Sequence, residues 1–323
     1  MIGPTLPNTT EAPRLSLSGT RVLVTGASGF LGSHLVQRLR SAGAEIYALS
    51  RSPRESSERH LQWLSADLGD WRATSELLAT TRPDLVFHFG GFVTATPDIG
   101  AVRPTFESLL GSTVNLLTAA TELGCRRVIL PGSMMEPPAT AVDVTPMSPY
   151  MTAKWAASTY ARMFHALYRT PVVIVRPSMT YGPGQPRTRL VPHVLAELLR
   201  GEAPKMSSGK MEADWTYIDD MTDGIVAAAL APGVDGLTID LGTGHITTAR
   251  EVVELVVELL GTSIRPVFGA LPDRPGERSH AADTRTARER LGWTAATSLR
   301  EGLRRTIEWF QTVSGTLASR SPK

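Results

Sequence analysis

Three side chains in the middle of the chain have the types and spacing to move a proton. Tyr150 and Lys154 are four residues apart at the start of a predicted helix, so the phenol and the ammonium share one helix face. An ammonium in that position is expected to lower the pKa of the Tyr150 hydroxyl. Tyr-x-x-x-Lys also occurs on ordinary helix faces, but Ser133, at the end of a predicted strand, adds a hydroxyl that can orient a reacting oxygen. Together they predict acid–base chemistry at a carbonyl or hydroxyl group, accompanying hydride transfer to or from a nicotinamide.

A glycine-rich segment near the amino terminus predicts where a nucleotide would bind. Residues 25–32 read TGASGFLG and lie between an apolar run and a stretch of helical periodicity. Such a turn directs free N–H groups and the positive end of a helix at a diphosphate. Gly26 is expected to permit the turn, Gly29 the approach of the phosphates, and Gly32 the packing of helix on strand. This context favours a dinucleotide site over an ordinary glycine-rich turn.

The end of the second predicted strand indicates which dinucleotide. NAD-binding folds place an acidic residue there to accept hydrogen bonds from the adenosine ribose. This chain instead has Ser50 and Arg51, with Arg54 close behind. A hydroxyl and a guanidinium suit a 2′-phosphate, so the sequence predicts NADP in preference to NAD, although the arginines could also belong to a solvated loop. Asp67 is a candidate either for the adenine amine or for a helix N-cap.

Alternating strands and helices position these groups. The pattern predicts an α/β fold with a doubly wound parallel Rossmann sheet, whose ligands bind beyond the carboxyl ends of the strands. The predicted strands are 21–25, 44–49, 62–66, 84–89, 126–131 and 171–176. The predicted helices between them are 30–42, 70–81, 105–123 and 149–169.

After residue 180 the pattern changes to helices separated by Pro- and Gly-bearing loops. These helices are predicted near 189–200, 219–231, 248–260, 284–291 and 299–312. We expect a flexible leader over 1–20, a dinucleotide-binding domain over 21–180, and mainly a smaller, interleaved substrate lobe over 181–323. The segment 234–246 is expected to return to the Rossmann sheet.

The composition excludes several classes of function. The 323 residues carry a net charge of +2 without a basic stripe, which argues against nucleic acid or an anionic membrane as a partner. No apolar run reaches the length of a membrane span, and no metal site is expected. A single cysteine, Cys125, excludes an internal disulfide and suggests a reducing cytoplasm, with the thiol expected to be buried and structural.

Taken together, these residues resemble the extended short-chain dehydrogenase/reductase family, in its branch of NAD-dependent epimerases and dehydratases of nucleotide sugars. The resemblance covers 21 to about 312 and includes the motifs TGASGFLG at 25–32, DL at 67–68, HFGG at 88–91, SPYMTAK at 148–154, RP at 176–177, YGPG at 181–184, DWTYIDD at 214–220, LGTG at 241–244, RPGE at 274–277 and LGW at 291–293. It implies that Ser133, Tyr150 and Lys154 are the catalytic triad and that Arg274 reaches a substrate diphosphate. The cofactor contacts expected from the motifs and this resemblance are Gly26, Ser28, Gly29, Phe30, Leu31, Gly32, Ser50, Arg51, Asp67, Leu68, Phe89, Gly90, Gly91, Tyr150, Lys154 and Pro177.

Departures from the family pattern bear on the reaction. The acid pair with which similar dehydratases eliminate water is replaced by Met134 and Met135. Similar enzymes that epimerise stepwise have a cysteine and a histidine where this chain has Met135 and Arg189. Glu136 is a candidate for a displaced acid or base, but the following Pro137-Pro138 favours a simple loop carboxylate. The sequence therefore predicts an NADPH-dependent reductase of a keto group on a nucleotide-linked deoxysugar. Alternatives are a 4-epimerase with a retained cofactor, a reductase of a non-sugar ketone or aldehyde, and, least favoured, a cofactor-sensing regulator.

Two polar groups that assist the diphosphate in similar proteins are also missing, since their positions hold Met179 and Ala213. The expected substrate contacts are Met135, Met179, Arg189 and Arg274, with Lys205, Lys210 and Arg187 as further candidates; each of these five basic residues could equally be surface charge. Similar proteins pair the helices near 105–123 and 149–169 into a dimer, so a homodimer is expected. The apolar positions Leu116, Leu117, Ala157 and Phe164 suit that interface or the core equally well.

Overall fold

The fold is built around a seven-stranded parallel sheet. The computed structural model describes residues 16–94, 96–137, 143–273 and 280–318. Within these residues the strands are Arg21–Thr25 (β1), Glu45–Leu49 (β2), Leu61–Leu64 (β3), Leu85–His88 (β4), Arg127–Pro131 (β5), Val172–Pro177 (β6), Met179–Tyr181 (β7), Glu212–Tyr217 (β8), Thr238–Leu241 (β9) and Ile246–Thr248 (β10). The large sheet has the order β3-β2-β1-β4-β5-β6-β9, and every pair in it is parallel.

The sequence explains why these strands are central. Strands β4 and β5 are buried along their whole length, because helices cover both faces of a parallel sheet. The chain enters at β1, runs outward to β3, and crosses back to β4, which lies on the other side of β1. The predicted doubly wound Rossmann fold is thus confirmed. Its switch point lies between β1 and β4, where a crevice forms beyond the carboxyl ends.

Most helices match the predicted periodicity with small shifts at their ends, but the last one runs to Ala318, six residues beyond its predicted end at 312. They are Phe30–Ser41 (α1), Trp71–Thr81 (α2), Val102–Thr105 (α3), Ser112–Leu123 (α4), Pro149–Tyr168 (α5), Leu190–Leu199 (α6), Ile218–Leu230 (α7), Ala249–Leu260 (α8), Thr284–Thr286 (α9) and Leu299–Ala318 (α10). Side-chain caps fix several of the starts. Ser148 accepts the N–H of Met151 at α5, and Thr248 and Glu251 form a reciprocal capping box at α8.

Two helical stretches are less regular than their periodicity suggests. The predicted helix 105–123 contains a π-helical segment, Phe106–Gly111, between α3 and α4. A second π-helical segment, Ala287–Leu291, follows α9 directly. A single wide turn leaves the spacing of apolar residues almost unchanged, so the sequence pattern gives no sign of it.

A second sheet was not predicted at all. Its three strands have the order β10-β8-β7, with β8 antiparallel to β10 and parallel to β7. An aromatic group, Tyr181, Trp215 and Tyr217, lies at its centre with edge-to-face ring contacts. Helices α6, α8 and α10 pack around this group and form a core of their own.

The candidate interface residues lie in the interior of the protomer. Leu116 and Leu117 are fully buried, and with Phe164 they pack against β4, β5 and β6, so three of these four positions belong to the core under the sheet; Ala157 is only 3% exposed. Cys125 is buried in the same core, and burial raises the pKa of its thiol to about 11. Across the described part of the chain, no helix has the length and apolar character needed to span a membrane.

Candidate active site

The glycine turn between β1 and α1 forms a tightly closed cradle. A Cβ on Gly32 would lie 2.1 Å from the carbonyl oxygen of Gly26, and a Cβ on Gly26 would lie 2.5 Å from the carbonyl oxygen of Phe89. Gly26 also has a φ of +66°, which other residues rarely adopt. Helix α1 begins after Gly29 without a side-chain cap, so its first N–H groups are free to bind an anion. The cradle therefore fits a dinucleotide diphosphate.

A buried hydrogen-bond network holds the neighbouring strand end against this cradle. The Thr25 hydroxyl accepts the N–H of Gly90 at 3.0 Å and lies 2.8 Å from Nδ1 of His88. On the other side, Ser112 gives its proton to the Ser108 carbonyl, so it can only accept from Nε2 of His88, 3.4 Å away. His88 is therefore neutral with its proton on Nε2. Burial, aided by the charge of Lys154, lowers its pKa to about 3.

The residues expected at the adenosine end lie together beyond β2 and β3. Ser50 is buried at the end of β2, and Arg51 follows it on the surface, with its carbonyl accepting the Ser65 hydroxyl. The guanidinium of Arg54 lies over the Trp63 ring, 5.3 Å from its centroid. Asp67 is exposed, and its side chain accepts the N–H of Gly69.

Asp67 is not the N-cap of α2. That position belongs to Asp70, whose side chain accepts the N–H of Ala73. The other predicted cofactor contacts follow β1, β3, β4 and β6 at the same edge of the sheet, and they are Ser28, Phe30, Leu31, Leu68, Phe89, Gly90, Gly91 and Pro177. Of these, the side chains of Phe30, Leu31, Leu68 and Phe89 pack into the hydrophobic cores, which leaves their backbone groups for a ligand.

Ser133 lies in a turn directly after β5. Its hydroxyl oxygen accepts the N–H of Met135 at 3.1 Å, and its carbonyl accepts the N–H of Glu136. Because the oxygen is already engaged as an acceptor, the hydroxyl proton is directed elsewhere and can be donated to a substrate oxygen. The turn thus leaves the Ser133 hydroxyl proton available for donation.

Helix α5 brings Tyr150 and Lys154 to the same strand end. Lys154 is 8% exposed, and its Nζ donates to the carbonyl of Pro131 at 2.9 Å. Burial lowers the pKa of Lys154 to about 8. The expectation that Lys154 lowers the pKa of Tyr150 is wrong for this structure. Burial of the phenol raises that pKa, Glu136 raises it further, and the guanidinium of Arg189 opposes the rise.

Glu136 is not a loop carboxylate in solvent, contrary to what the prolines after it suggest. It is 8% exposed, and its Oε1 accepts the N–H of Ser133 at 2.7 Å and the hydroxyl of Ser158 at 2.8 Å. Burial raises the pKa of this carboxyl. The position of Ser158, four residues after Lys154, was the available sign that helix α5 carries a third polar group toward the strand end.

The expected substrate residues are only partly brought together. Met135 is half-buried beside Ser133, and Met179 is 42% exposed in β7. Arg189 is exposed at the start of α6, near enough to Tyr150 to act on its pKa. Arg274 lies outside the described residues. Arg187, Lys205 and Lys210 are exposed on the surface.

Comparison with known proteins connects this geometry to a family. A family model described as "NAD dependent epimerase/dehydratase family" matches residues 22–242. The chain belongs to this family. It is therefore an enzyme of the epimerase/dehydratase type, as the motifs predict.

Relatives in the family include epimerases and dehydratases. The chain is 32% identical to a UDP-glucose 4-epimerase of Mycolicibacterium smegmatis, with 91% of this chain and 99% of the relative covered. It is 27% identical to a dTDP-glucose 4,6-dehydratase of Xanthomonas campestris, with 90% of this chain and 93% of the relative covered. Among solved structures, MoeE5 in complex with UDP-glucose and NAD has a TM-score of 0.80 at 31% identity, with 91% and 99% covered. The UDP-glucose 4-epimerase of Thermotoga maritima with UDP-glucose has a TM-score of 0.82 at 25% identity, with the same coverage.

Several motifs that carry the family resemblance stabilise the fold. Asp214 is 2% exposed and accepts hydrogen bonds from the backbone of Thr243, Gly244 and Ala282 and from the Thr243 hydroxyl. Asp220 receives the N–H groups of Ala296 and Thr297. The carboxylates of Asp214 and Asp220 therefore hold loops that are distant in sequence against the segment 214–220.

Proposed function

We propose that this enzyme catalyses hydride transfer at a carbon–oxygen centre of a nucleotide-linked sugar, with Tyr150 exchanging the proton. The observation that carries the proposal is the convergence of the Ser133 turn, Tyr150 and Lys154 at the carboxyl end of β5, two strands from the glycine cradle on β1. A nicotinamide dinucleotide would be held by the cradle and by Lys154, and when bound it supplies or accepts the hydride. The substrate class is taken from the relatives, two of which carry UDP-glucose in their structures.

The proton steps follow from the arrangement of the side chains. Ser133 donates its hydroxyl proton in a hydrogen bond to the reacting oxygen and so fixes its position. Tyr150, whose raised pKa keeps it protonated at neutral pH, gives its proton to that oxygen during reduction or takes one back during oxidation. Lys154, with a pKa of about 8, is mainly an ammonium at pH 7 and stabilises negative charge as it develops.

We infer that the net reaction is reduction by NADPH. The support is the adenosine end of the site, where a buried Ser50 hydroxyl and an exposed Arg51 replace the acidic residue that binds the ribose of NAD. The methionines after Ser133 supply no acid pair for dehydration.

Replacing Arg51 tests the cofactor assignment. Arg51→Ala should weaken NADP binding by about 1.5–3 kcal/mol, or roughly 10- to 150-fold in Kd, because a charge-assisted hydrogen bond to the phosphate is lost. NAD binding should change much less. Arg54→Ala is the matched control, since it removes the same charge from the same loop but from a guanidinium that lies over Trp63. Equal losses for both dinucleotides, or a larger NADP loss for Arg54→Ala, would contradict the assignment.

The activity itself is tested by following NADPH absorbance with nucleotide 4-keto-6-deoxyhexoses. Tyr150→Phe should lower kcat by about 100-fold or more while leaving NADP affinity within a few-fold, because only the proton donor is removed. Absence of NADPH consumption with every such sugar would reject the reductase. Unchanged turnover in Tyr150→Phe would reject the proton transfer.

A 4-epimerase is the second candidate. It is favoured by the 32% identity to a UDP-glucose 4-epimerase and by the NAD in the MoeE5 complex. Oxidation and re-reduction at one carbon need the same Ser133, Tyr150 and Lys154. A dinucleotide that remains with the purified protein, together with interconversion of UDP-glucose and UDP-galactose without net NADPH use, would favour this candidate over the reductase.

We also propose that the sugar nucleotide contacts the part of the chain after residue 180 and that two copies associate. The candidate contacts are Arg189, which is near enough to Tyr150 to act on its pKa, together with Met179 and Met135. Exposed apolar side chains on α5 and on the helical segments packed against it support a homodimer, namely Val102, Phe106, Tyr160, Leu167 and Tyr168. Light scattering of the purified protein tests the dimer, and a monomeric mass at micromolar concentration would exclude it.

A further inference from the structure

A buried carboxylate connects the serine turn to the helix that carries the other two catalytic residues. The Oε1 atom of Glu136 accepts one donor from the turn, the N–H of Ser133, and one from α5, the hydroxyl of Ser158. A buried carboxylate is unfavourable unless such donors compensate for lost water. Glu136 also occupies space that Gly132 leaves open, because a Cβ on Gly132 would lie 2.8 Å from Oε1.

We propose that Glu136 is a positioning residue whose carboxylate fixes the Ser133 turn against α5, so that Ser133, Tyr150 and Lys154 keep one relative geometry. Ser158 lies one helical turn beyond Lys154, which itself lies one turn beyond Tyr150. These three side chains therefore form a row along one face of the helix, which contacts the end of β5 through Lys154. Lys154 bonds to Pro131 and Ser158 reaches Ser133 through Glu136, so the row contacts the strand end at two points.

The charge of Glu136 has a separate consequence for Lys154. Burial lowers the pKa of Lys154 to about 8, and the Glu136 carboxylate opposes that change. Arg176 on β6 and Arg162 on α5 face Glu136 and favour its ionised form, while Tyr150 on α5 and His88 on β4 are the other titratable groups in the cluster. Removing the carboxylate should therefore shift the Lys154 titration toward acid.

The lysine content makes that shift measurable. The chain has only four lysines, Lys154, Lys205, Lys210 and Lys323, so a protein labelled with ¹³C at lysine Cε gives few signals. The signal missing in Lys154→Arg assigns Lys154. We expect a midpoint near 8 in the wild type and one about a unit lower in Glu136→Gln. Ser158→Ala, which loses a hydrogen bond but keeps the carboxylate, should titrate like the wild type. An unchanged midpoint in Glu136→Gln would overturn the charge coupling.

Kinetics separate positioning from direct proton transfer, and this part alone rests on the proposed function. Glutamine keeps an oxygen acceptor for Ser133 and Ser158, so Glu136→Gln should retain kcat within about tenfold, whereas Glu136→Ala should lose about 100-fold with little change in KM. A Glu136→Gln variant as inactive as Tyr150→Phe would make Glu136 an acid or base instead. A fully active Glu136→Ala would leave it without a positioning role.

Two further measurements keep these outcomes distinct. If Glu136→Ala fails to fold, Ser158→Ala still removes one of the two contacts and should lower kcat several-fold without altering the Lys154 titration; unchanged kcat would overturn the proposal. If the wild type turns over no tested sugar, the proposed function fails, while the Lys154 titration still decides whether Glu136 acts on α5.

Discussion

The buried neutral His88 makes the stability of the fold depend on pH. In the native state its pKa is about 3, because burial disfavours the imidazolium and Lys154 repels it. In the unfolded chain a histidine has a pKa of about 6.5. Below that value the unfolded state binds a proton that the native state excludes, so lowering the pH favours unfolding. The stability contributed by neutral His88 is therefore complete above pH ~6.5 and is lost progressively toward pH ~3.

The size of the effect follows from the two pKa values. Each pH unit in this range is worth about 1.36 kcal/mol for one proton. Between pH ~7 and pH ~5 the free energy of unfolding should fall by about 2 kcal/mol through His88 alone. The native pKa of His88 lies about two units below pH ~5, so its pKa in the unfolded chain alone determines the size of this decrease in the free energy of unfolding.

A matched variant isolates this contribution from that of the carboxylates. His88→Asn keeps an acceptor for the Thr25 hydroxyl but cannot titrate, so its unfolding free energy should decline about 2 kcal/mol less between pH ~7 and pH ~5. Urea unfolding followed by tryptophan fluorescence at several pH values measures the difference. If the unfolding free energies of the two proteins changed equally with pH, the conclusion that His88 is neutral in the native state with a lowered pKa would be refuted.

Three further substitutions test the packing of the site and the core. Gly32→Ala should lower the free energy of unfolding by about 1–3 kcal/mol and weaken dinucleotide binding more than tenfold, because the added Cβ would meet the Gly26 carbonyl. Gly111→Ala is the control: the atom nearest to its added Cβ is 3.6 Å away, so thermal unfolding and binding assays should show a neutral or stabilising effect. Asp214→Ala leaves four donors without their acceptor and should destabilise the fold by about 3 kcal/mol in urea unfolding; a loss under 1 kcal/mol would contradict its structural role. Leu116→Ala should cost about 2–5 kcal/mol without changing the molecular mass in solution, since the side chain is fully buried within the protomer.

The main sheet was readable from the sequence because its signals are local. A buried strand such as β5 is an apolar run, and the glycine turn marks the end of β1. The second sheet lacked such signals, because β7 and β10 have three residues each and β8 pairs with partners distant in sequence. Only the packing of the surrounding helices, which the sequence pattern does not specify, shows where this sheet lies.

Within the site, residue types were predictable but their environments were not. Ser133, Tyr150 and Lys154 follow from a strand end and a helical spacing. The raised pKa of Tyr150 and the burial of Glu136 depend instead on how closely α5 approaches the end of β5 and the Ser133 turn, which no local pattern specifies. Two prolines after Glu136 suggested a solvent-facing loop, but the carboxylate turns inward before them.

The groups proposed to handle the proton all come from one stretch of chain, Pro131 to Ser158, anchored at one end by a strand and at the other by a helix. The candidate substrate contacts Met179 and Arg189 come from later segments that have their own hydrophobic core. The proposed proton-transfer groups and these two candidate contacts thus lie in separate parts of the chain, whereas a third candidate contact, Met135, lies within the first stretch. Exchanging the later segments between relatives should alter which sugar is accepted while the proton-transfer unit is inherited intact.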